Sequence, residues 1–220
     1  MKFRDYSFGE WLRFIGVDGG IIVLVVALPF AKLVPYWFGH ENGPIEIMQN
    51  FVLLLGVLMA LRFFALAQNI AAKHTWLTII GFLLLCLGRE LSWGRVFFFT
   101  HYDTSGGPVF LDLKDLPGHI LIYALIVVLI VAVLYGLVRH IPYRRLFAEH
   151  RQWPIAQIAM MIIFAVLSQI SEHSHGDTIM ASETAEELFE LWSYILFIGV
   201  IYELRPLFSG ETYLNSRQIR

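Results

Sequence analysis

The chain is poor in charge, and that scarcity bounds the class of protein it can be. Only 15% of its 220 residues are Asp, Glu, Lys or Arg, whereas 57% are hydrophobic. Soluble domains carry roughly 25% charged residues, so this composition indicates a polytopic membrane protein. The formal net charge is −2 and no Lys/Arg-rich run is interleaved with aromatic residues. We therefore expect membrane lipids, and no nucleic acid, as partners.

Cysteine and familiar catalytic motifs are scarce as well. Cys86 is the only cysteine, which excludes an internal disulfide and a cysteine-based zinc site. The chain has no P-loop, no Gly-x-Ser-x-Gly elbow, no His-Glu-x-x-His helix and no internal repeat. These absences argue against nucleotide hydrolases, serine hydrolases of the elbow type and zinc proteases.

Long apolar runs dominate the rest of the chain. A bilayer core needs about 20 helical residues, and six runs approach that length: 19–38, 44–68, 75–98, 118–138, 153–172 and 183–204. We predict an all-α fold, a six-helix transmembrane bundle formed by residues 19–205. Residues 1–18 are predicted to form an interfacial amphipathic segment, and residues 206–220 a cytoplasmic tail.

The distribution of Lys and Arg predicts how these runs are oriented. All of them fall on the side that holds both termini, except Lys32, Arg89, Arg95 and Lys114. Cytoplasmic loops collect positive charge, so both termini are predicted to be cytoplasmic. The chain is then predicted to be a multi-pass membrane protein in which residues 99–117 form an outer loop.

The segment Gly88–Arg95 interrupts the third run with charge. A charged side chain at the centre of a bilayer costs about 2.5 to 3.5 kcal/mol, so such residues usually mark a functional site. Counted from Thr75 at about 1.5 Å per residue, Arg89 and Glu90 are predicted to lie roughly 21 Å along the helix, inside the hydrocarbon.

Polar residues also gather at the predicted outer ends of five runs, with Ser168 among them. The candidate catalytic residues are Glu90, Glu172, Glu187, Glu190, His119 and His173. The candidate substrate-binding residues are Arg89, Arg95, Glu46, Gln49, Asn50, Ser92, Gln169 and Tyr194. We predict that these side chains converge on one pocket below the outer membrane surface. Crowded carboxylates cannot all stay ionised, so protons, a metal ion or a cationic ligand must balance them.

Three functions fit this pattern. The first is a hydrolase or transferase that acts on a lipid or lipid-linked substrate, and the second is a proton- or cation-coupled transporter or ion-binding protein. The third is a non-catalytic scaffold or assembly partner, in which the polar residues join helices. A divalent metal stays an open alternative, although His173 and His175 are two residues apart and do not share a helix face. The pattern leaves the substrate and the oligomeric state open.

Two stretches carry a resemblance to known families. Glu41-Asn42-Gly43-Pro44-Ile45-Glu46 and Gly88-Arg89-Glu90-Leu91-Ser92-Trp93-Gly94-Arg95 resemble uncharacterised bacterial polytopic inner-membrane proteins with a Gly-Glu-Glu-x-Ser-Trp-Gly-Gln-Arg-like signature. That family implies no activity, and here Arg89 and Arg95 replace an acidic residue and a glutamine. Glu41, Asn42, Glu46 and Asn50 are also loosely similar to alkaline ceramidase-like membrane hydrolases. That resemblance implies a zinc hydrolase, but the His-x-x-x-His and one helix are missing.

Overall fold

The structure is a computed structural model that describes residues 8–40, 42–102, 107–148, 153–173 and 183–209. The predicted all-α class is confirmed. The helices of the described ranges are α1 (Phe8–Arg13), α2 (Gly19–Leu33), α3 (Pro44–Leu66), α4 (Ile70–Glu90), α5 (His119–His140), α6 (Tyr143–Ala148), α7 (Ile155–His173) and α8 (Glu183–Ser209). Two short strands, β1 (Phe99–Tyr102) and β2 (Pro108–Phe110), form an antiparallel hairpin within the predicted outer loop.

Six helical segments of the described residues are long and apolar enough to cross a membrane, as predicted. They are Phe8–Leu33, Trp37–Leu66, Ile70–Glu90, His119–His140, Ile155–His173 and Glu183–Phe208. Their length and composition make the chain a multi-pass membrane protein.

The third apolar run does not form the helix that the sequence predicted. α4 begins at Ile70, where the side chain of Asn69 accepts a hydrogen bond from Ala72 N at 2.6 Å. It ends at Glu90, because Ser92, Trp93 and Gly94 have φ values of 43°, 53° and 94°. Residues Ser92–Phe97 form a short 3-10 segment instead. Glu90 is thus the last residue of a helix about 30 Å long. The depth predicted for Arg89 and Glu90 in the hydrocarbon stays a prediction.

The first and last runs extend further than predicted. A π-helical turn, Phe14–Asp18, joins α1 to α2, so one helical segment runs from Phe8 to Leu33. The interfacial location predicted for residues 1–18 stays a prediction, and residues 1–7 lie outside the described ranges. α8 continues through Pro206 to Ser209, so the segment predicted as a tail begins within this helix. Residues 210–220 lie outside the described ranges.

The chain divides into two compact units, and unit 1 comprises Met1–Val52 and Pro154–Glu203. Its core is built from Ala27 of α2, Phe164 of α7 and three residues of α8: Ala185, Phe189 and Leu196. The rings of Phe164 and Phe189 lie 5.9 Å apart. Trp192 Nε1 donates to Gly16 O at 3.2 Å, which ties α8 to the π-helical turn.

Unit 2 comprises Leu53–Trp153 and Leu204–Arg220. Here α4 packs along α5, and Thr75 Oγ1 donates to His140 O at 2.7 Å. Trp76 is fully buried between the rings of Phe63 and Phe208, with centroids 4.9 and 5.7 Å away. These contacts hold the beginning of α4 against the end of α5 and the end of α8.

Candidate functional site

A short 3-10 turn, Tyr36–Gly39, places the polar residues of unit 1 against the beginning of α8. A Cβ atom on Gly39 would lie 2.6 Å from Cα of Thr184, so only glycine allows this approach. Gly43 N then donates to His40 O at 2.7 Å, and α3 begins at Pro44. The turn and the first turns of α3 therefore face the same side of α8.

His40 pairs with Glu183 at the first residue of α8. The distance from His40 Nδ1 to Glu183 Oε2 is 3.0 Å. The His40 side chain is 12% exposed, whereas that of Glu183 is 66% exposed. The Glu183 carboxylate therefore orients an imidazole that is largely buried.

Gln49 pairs with Glu187, one turn further along α8. Its Nε2 donates to the backbone oxygen of Glu187 at 2.9 Å and to the carboxylate Oε2 at 2.6 Å. Gln49 is fully buried. Both partners are acceptors, so the amide nitrogen must face Glu187, and Gln49 Oε1 must point the other way.

The two pairs form what we call the polar ladder: His40 with Glu183, and Gln49 with Glu187. Residues four apart lie on one helix face, so both carboxylates project from the same side of α8. Glu46, one turn before residue 50 on α3, is 5% exposed and accepts a hydrogen bond from Asn42 N. A histidine, an amide and several carboxylates thus meet at the facing ends of α3 and α8.

Several buried polar atoms of unit 1 have no hydrogen-bond partner among the described residues. They are Gln49 Oε1, Asn50 Oδ1, both amide atoms of Gln157, and the hydroxyls of Ser168 and Ser171. Leaving such an atom unsatisfied costs about 1 to 3 kcal/mol. Buried atoms of this kind point to a bound molecule or ion. The amide and carboxylate oxygens of α3 suit a hard cation or a ligand that donates hydrogen bonds.

On α7 the predicted site residues lie on the exposed face. Gln169 Nε2 donates to Glu172 Oε2 at 2.9 Å, and His173 Nδ1 lies 2.9 Å from Gln169 O. These contacts stay within α7, and all three residues are exposed. The buried polar residues of α7 are instead Gln157, Ser168 and Ser171. The roles assigned to Gln169, Glu172 and His173 stay predictions.

Further along α8, Glu190 and Tyr194 are both half-buried. The hydroxyl of Ser193 donates to Glu190 O at 2.8 Å, which is a contact within the helix. Glu190 and Tyr194 continue the face of Glu183 and Glu187 by three and four residues, as the spacing predicted.

In unit 2, Arg89 and Glu90 form a local ion pair. Arg89 Nη2 and Nε both lie 2.9 Å from Glu90 Oε1. The Arg89 side chain is 57% exposed, but that of Glu90 is only 5% exposed. Ser92 and Arg95, both half-buried, follow in the turn that ends α4. The geometry therefore keeps a buried carboxylate beside a cation at the end of a spanning helix.

His119 and its neighbours lie at the beginning of α5. His119 Nδ1 is 3.2 Å from Leu116 O, and the rings of His119 and Tyr123 are 6.3 Å apart. Lys114 lies before this helix, 3.2 Å from Asp112, and its hydrogen bond to that carboxylate raises the pKa of the Lys114 ammonium group. These groups are exposed, so the pair adds little stability.

The structure thus brings together Gln49 and Glu187 in unit 1, and Arg89 with Glu90 in unit 2. Glu46 is buried on α3, and its hydrogen bond is to Asn42 N. The convergence of all the predicted residues on one pocket stays a prediction. His40 and Glu183 were not among the predicted site residues. The signal available for His40 was its place just before Glu41-Asn42-Gly43-Pro44, a turn sequence that leads into a helix.

Comparison of the chain with protein-family models, curated proteins and solved structures gives no match. The arrangement of the side chains therefore carries the functional argument.

Proposed function

We propose that the protein is a multi-pass protein of the bacterial inner membrane that acts as a hydrolase or transferase on a lipid or lipid-linked substrate. The polar ladder of unit 1 is its acid–base site, opening toward the outer side. The observation that carries this proposal is the double hydrogen bond from buried Gln49 to Glu187, at 2.9 and 2.6 Å. A carboxylate held in this way has the fixed orientation that a general base needs.

The proposed chemistry assigns one role to each pair. Glu187 removes the proton from an attacking water or hydroxyl group, and protonated His40 returns a proton to the leaving group. Glu183 orients the imidazole, as a carboxylate does in other base–orienter pairs. Glu187 and His40 return to their starting protonation states when the proton on Glu187 is transferred to His40 through the solvent or the product.

The location of the ladder supports a lipid substrate. Gln49 belongs to α3, and Glu183 and Glu187 belong to α8, two helices of membrane-spanning length, while His40 lies just before α3. Except for exposed Glu183, the side chains of the ladder are buried or half-buried, so a water-soluble substrate would have to reach them along such helices. A lipid reaches them from the bilayer, with its head group level with the helix ends.

Purified protein in lipid nanodiscs tests the proposal. The wild type is incubated with a lipid extract from bacterial inner membranes, and the lipids are compared before and after by mass spectrometry. We expect conversion of at least one lipid class, and a loss of about 100-fold or more in rate for His40→Gln. The control, Glu203→Gln, changes the same helix about 24 Å from Glu187 and should keep the wild-type rate. Unchanged lipids in the wild-type sample would refute an enzymatic function on these substrates.

Proton or cation binding is the second candidate, and the orphan acceptors Gln49 Oε1 and Asn50 Oδ1 favour it. Oxygen ligands of this type bind protons or hard cations rather than anions. Liposomes that contain the protein and a pH or cation indicator measure this activity directly. Flux through the wild type that Asn50→Leu abolishes, with no change in the lipids, would favour transport over catalysis.

A scaffold function makes a different prediction. Polar residues that only join helices stabilise the fold, so their removal lowers stability without a separate loss of activity. If Glu90→Gln and Glu187→Gln both unfold the protein, the enzyme and the transporter lose their main support.

A further inference from the structure

A groove of about 790 Å³ lies in unit 2 where α4 begins and α5 ends. Its polar lining consists of Asn69, Thr75, His140, Tyr143, Arg144 and Arg145. None of these residues belongs to the polar ladder, and the groove plays no part in the proposed catalysis. It therefore needs an explanation of its own.

The chain builds this groove through a break between two helices. Pro142 disfavours helical geometry at the preceding residue, and Ile141 is extended with φ −72° and ψ 129°. α6 then begins at Tyr143. Arg145 Nη1 donates to Leu207 O at 3.4 Å, while the rings of His140 and His74 lie against each other with centroids 4.6 Å apart. Contacts among four helices, α4, α5, α6 and α8, thus hold the walls of the groove.

The formally charged side chains that line the groove, Arg144 and Arg145, are both positive. No Asp or Glu occurs between Leu53 and Arg89, nor between His119 and Ala148, whereas both segments contain Lys and Arg. Two adjacent arginines line the groove itself. The beginning of α4 forms another part of the lining, and the amino terminus of a helix carries partial positive charge that favours an anion. The lining therefore favours an anionic ligand over a cationic one.

The membrane orientation of the chain does not by itself explain why both arginines line the groove. Arg144 and Arg145 are on the side that the charge distribution predicts to be cytoplasmic, and loop arginines have that effect wherever they point. A loop that only set the topology would not need both arginines in a groove beside a helix amino terminus. Arg62 and Lys73 have the same predicted side but do not line the groove.

We propose that this groove binds the phosphate head group of an anionic phospholipid from the surrounding leaflet. The guanidinium groups of Arg144 and Arg145 form charge-assisted, bidentate hydrogen bonds with phosphate oxygens. His140, Tyr143 and Asn69 supply further hydrogen-bonding groups around the head group. Basic pockets at the cytoplasmic ends of transmembrane helices are suited to such lipids.

Binding of short-chain lipids to the purified full-length protein in neutral detergent tests this proposal. Phosphatidylglycerol and phosphatidylcholine with the same acyl chains are titrated separately, and bound lipid is counted by native mass spectrometry. We expect saturable binding of phosphatidylglycerol and at least tenfold weaker binding of phosphatidylcholine. Arg144→Gln with Arg145→Gln should weaken phosphatidylglycerol binding by about thirtyfold, since each arginine near an anionic surface contributes roughly fivefold.

The matched control is Arg62→Gln with Lys73→Gln, which removes the same charge outside the groove. It should leave the affinity within about twofold of the wild type, and an equal loss in both double variants would overturn a localised site. Competition by inorganic phosphate at the same concentration as the lipid separates the two sources of the ligand chemistry. If phosphate displaces the lipid completely, the groove is a site for free phosphate and the proposal fails.

A second variant keeps the test valid if the glutamine variant does not insert or fold. Arg144→Lys with Arg145→Lys preserves the charge that directs topology but cannot form the bidentate geometry. It should insert normally, as judged by protease accessibility of the termini, and bind phosphatidylglycerol several-fold more weakly than the wild type. Wild-type affinity in this variant would contradict phosphate recognition by the guanidinium groups.

Discussion

Replacement of Gln49 by leucine tests the polar ladder at its buried contact. Leucine has nearly the volume of glutamine, so the change removes hydrogen bonds and leaves little cavity. The wild-type amide donates to two acceptors of Glu187, and Gln49 is fully buried. The substitution therefore removes both bonds at once from a site with little access to water.

The expected loss follows from the nature of the two acceptors. A hydrogen bond to a charged group contributes about 1.5 to 3 kcal/mol, and one to a backbone oxygen contributes roughly 0.5 to 1.5 kcal/mol. The substitution also removes Gln49 Oε1, a buried acceptor without a partner that is itself unfavourable by about 1 to 3 kcal/mol. Its removal offsets part of the stability lost with the two hydrogen bonds. We expect Gln49→Leu to lower the free energy of unfolding by about 2 kcal/mol.

A double-mutant cycle with Glu187→Leu separates this interaction from other effects. Unfolding is followed in mixed micelles of dodecyl sulfate and neutral detergent for the wild type, both single variants and the double variant. Interacting residues show coupling of about 0.5 to 3 kcal/mol, and we expect at least 1 kcal/mol here. Gln169→Leu, at an exposed glutamine of α7, is the matched control and should change stability by less than about 0.5 kcal/mol. Additive effects of Gln49→Leu and Glu187→Leu would refute the hydrogen bond.

Three further substitutions test packing, a turn and a helix cap, each within one of the two units. Phe164→Ala should lower the free energy of unfolding by about 3 to 5 kcal/mol, because it leaves a cavity beside Phe189. Val166→Ala, on the exposed face of α7, should have little effect, and chemical unfolding measures both variants. Gly94→Ala should cost about 1 to 2 kcal/mol from its positive φ alone, since no atom lies within 4 Å of the added Cβ; a Tm equal to that of the wild type would contradict this geometry. Asn69→Ala should cost about 1 kcal/mol through loss of the cap on α4, and Asn69→Asp should retain the stability; hydrogen exchange in the first turn of α4 reports this loss locally.

Hydropathy was sufficient for the helical class and the number of spans, because a bilayer imposes both length and apolarity on each helix. It failed at the ends of α4. The sequence from Thr75 to Phe98 is apolar enough to read as one helix, but left-handed backbone at Ser92 and Trp93 ends the helix at Glu90. Left-handed residues other than glycine have no strong sequence signal, so the end of α4 at Glu90 was not predicted.

The candidate site was predictable only in part, because its residues share helix faces but come together through contacts between helices. Helical periodicity placed Glu46, Gln49 and Asn50 together, and it placed Glu183 and Glu187 on one face of the last helix. Periodicity within a helix does not say which helix lies opposite. The pairing of Gln49 with Glu187, and of His40 with Glu183, depends on the approach of Gly39 to Thr184, which is a tertiary contact.

The most direct test of the account compares Glu187→Gln with Glu203→Gln in both stability and lipid turnover. Glutamine at position 187 still accepts the hydrogen bonds from Gln49, so its Tm should fall by only a few degrees, but it cannot remove a proton. We predict a fall of about 100-fold or more in turnover for Glu187→Gln and wild-type turnover for Glu203→Gln. Equal turnover in the two variants, or loss of turnover only in proportion to unfolding, would contradict a functional role for the polar ladder.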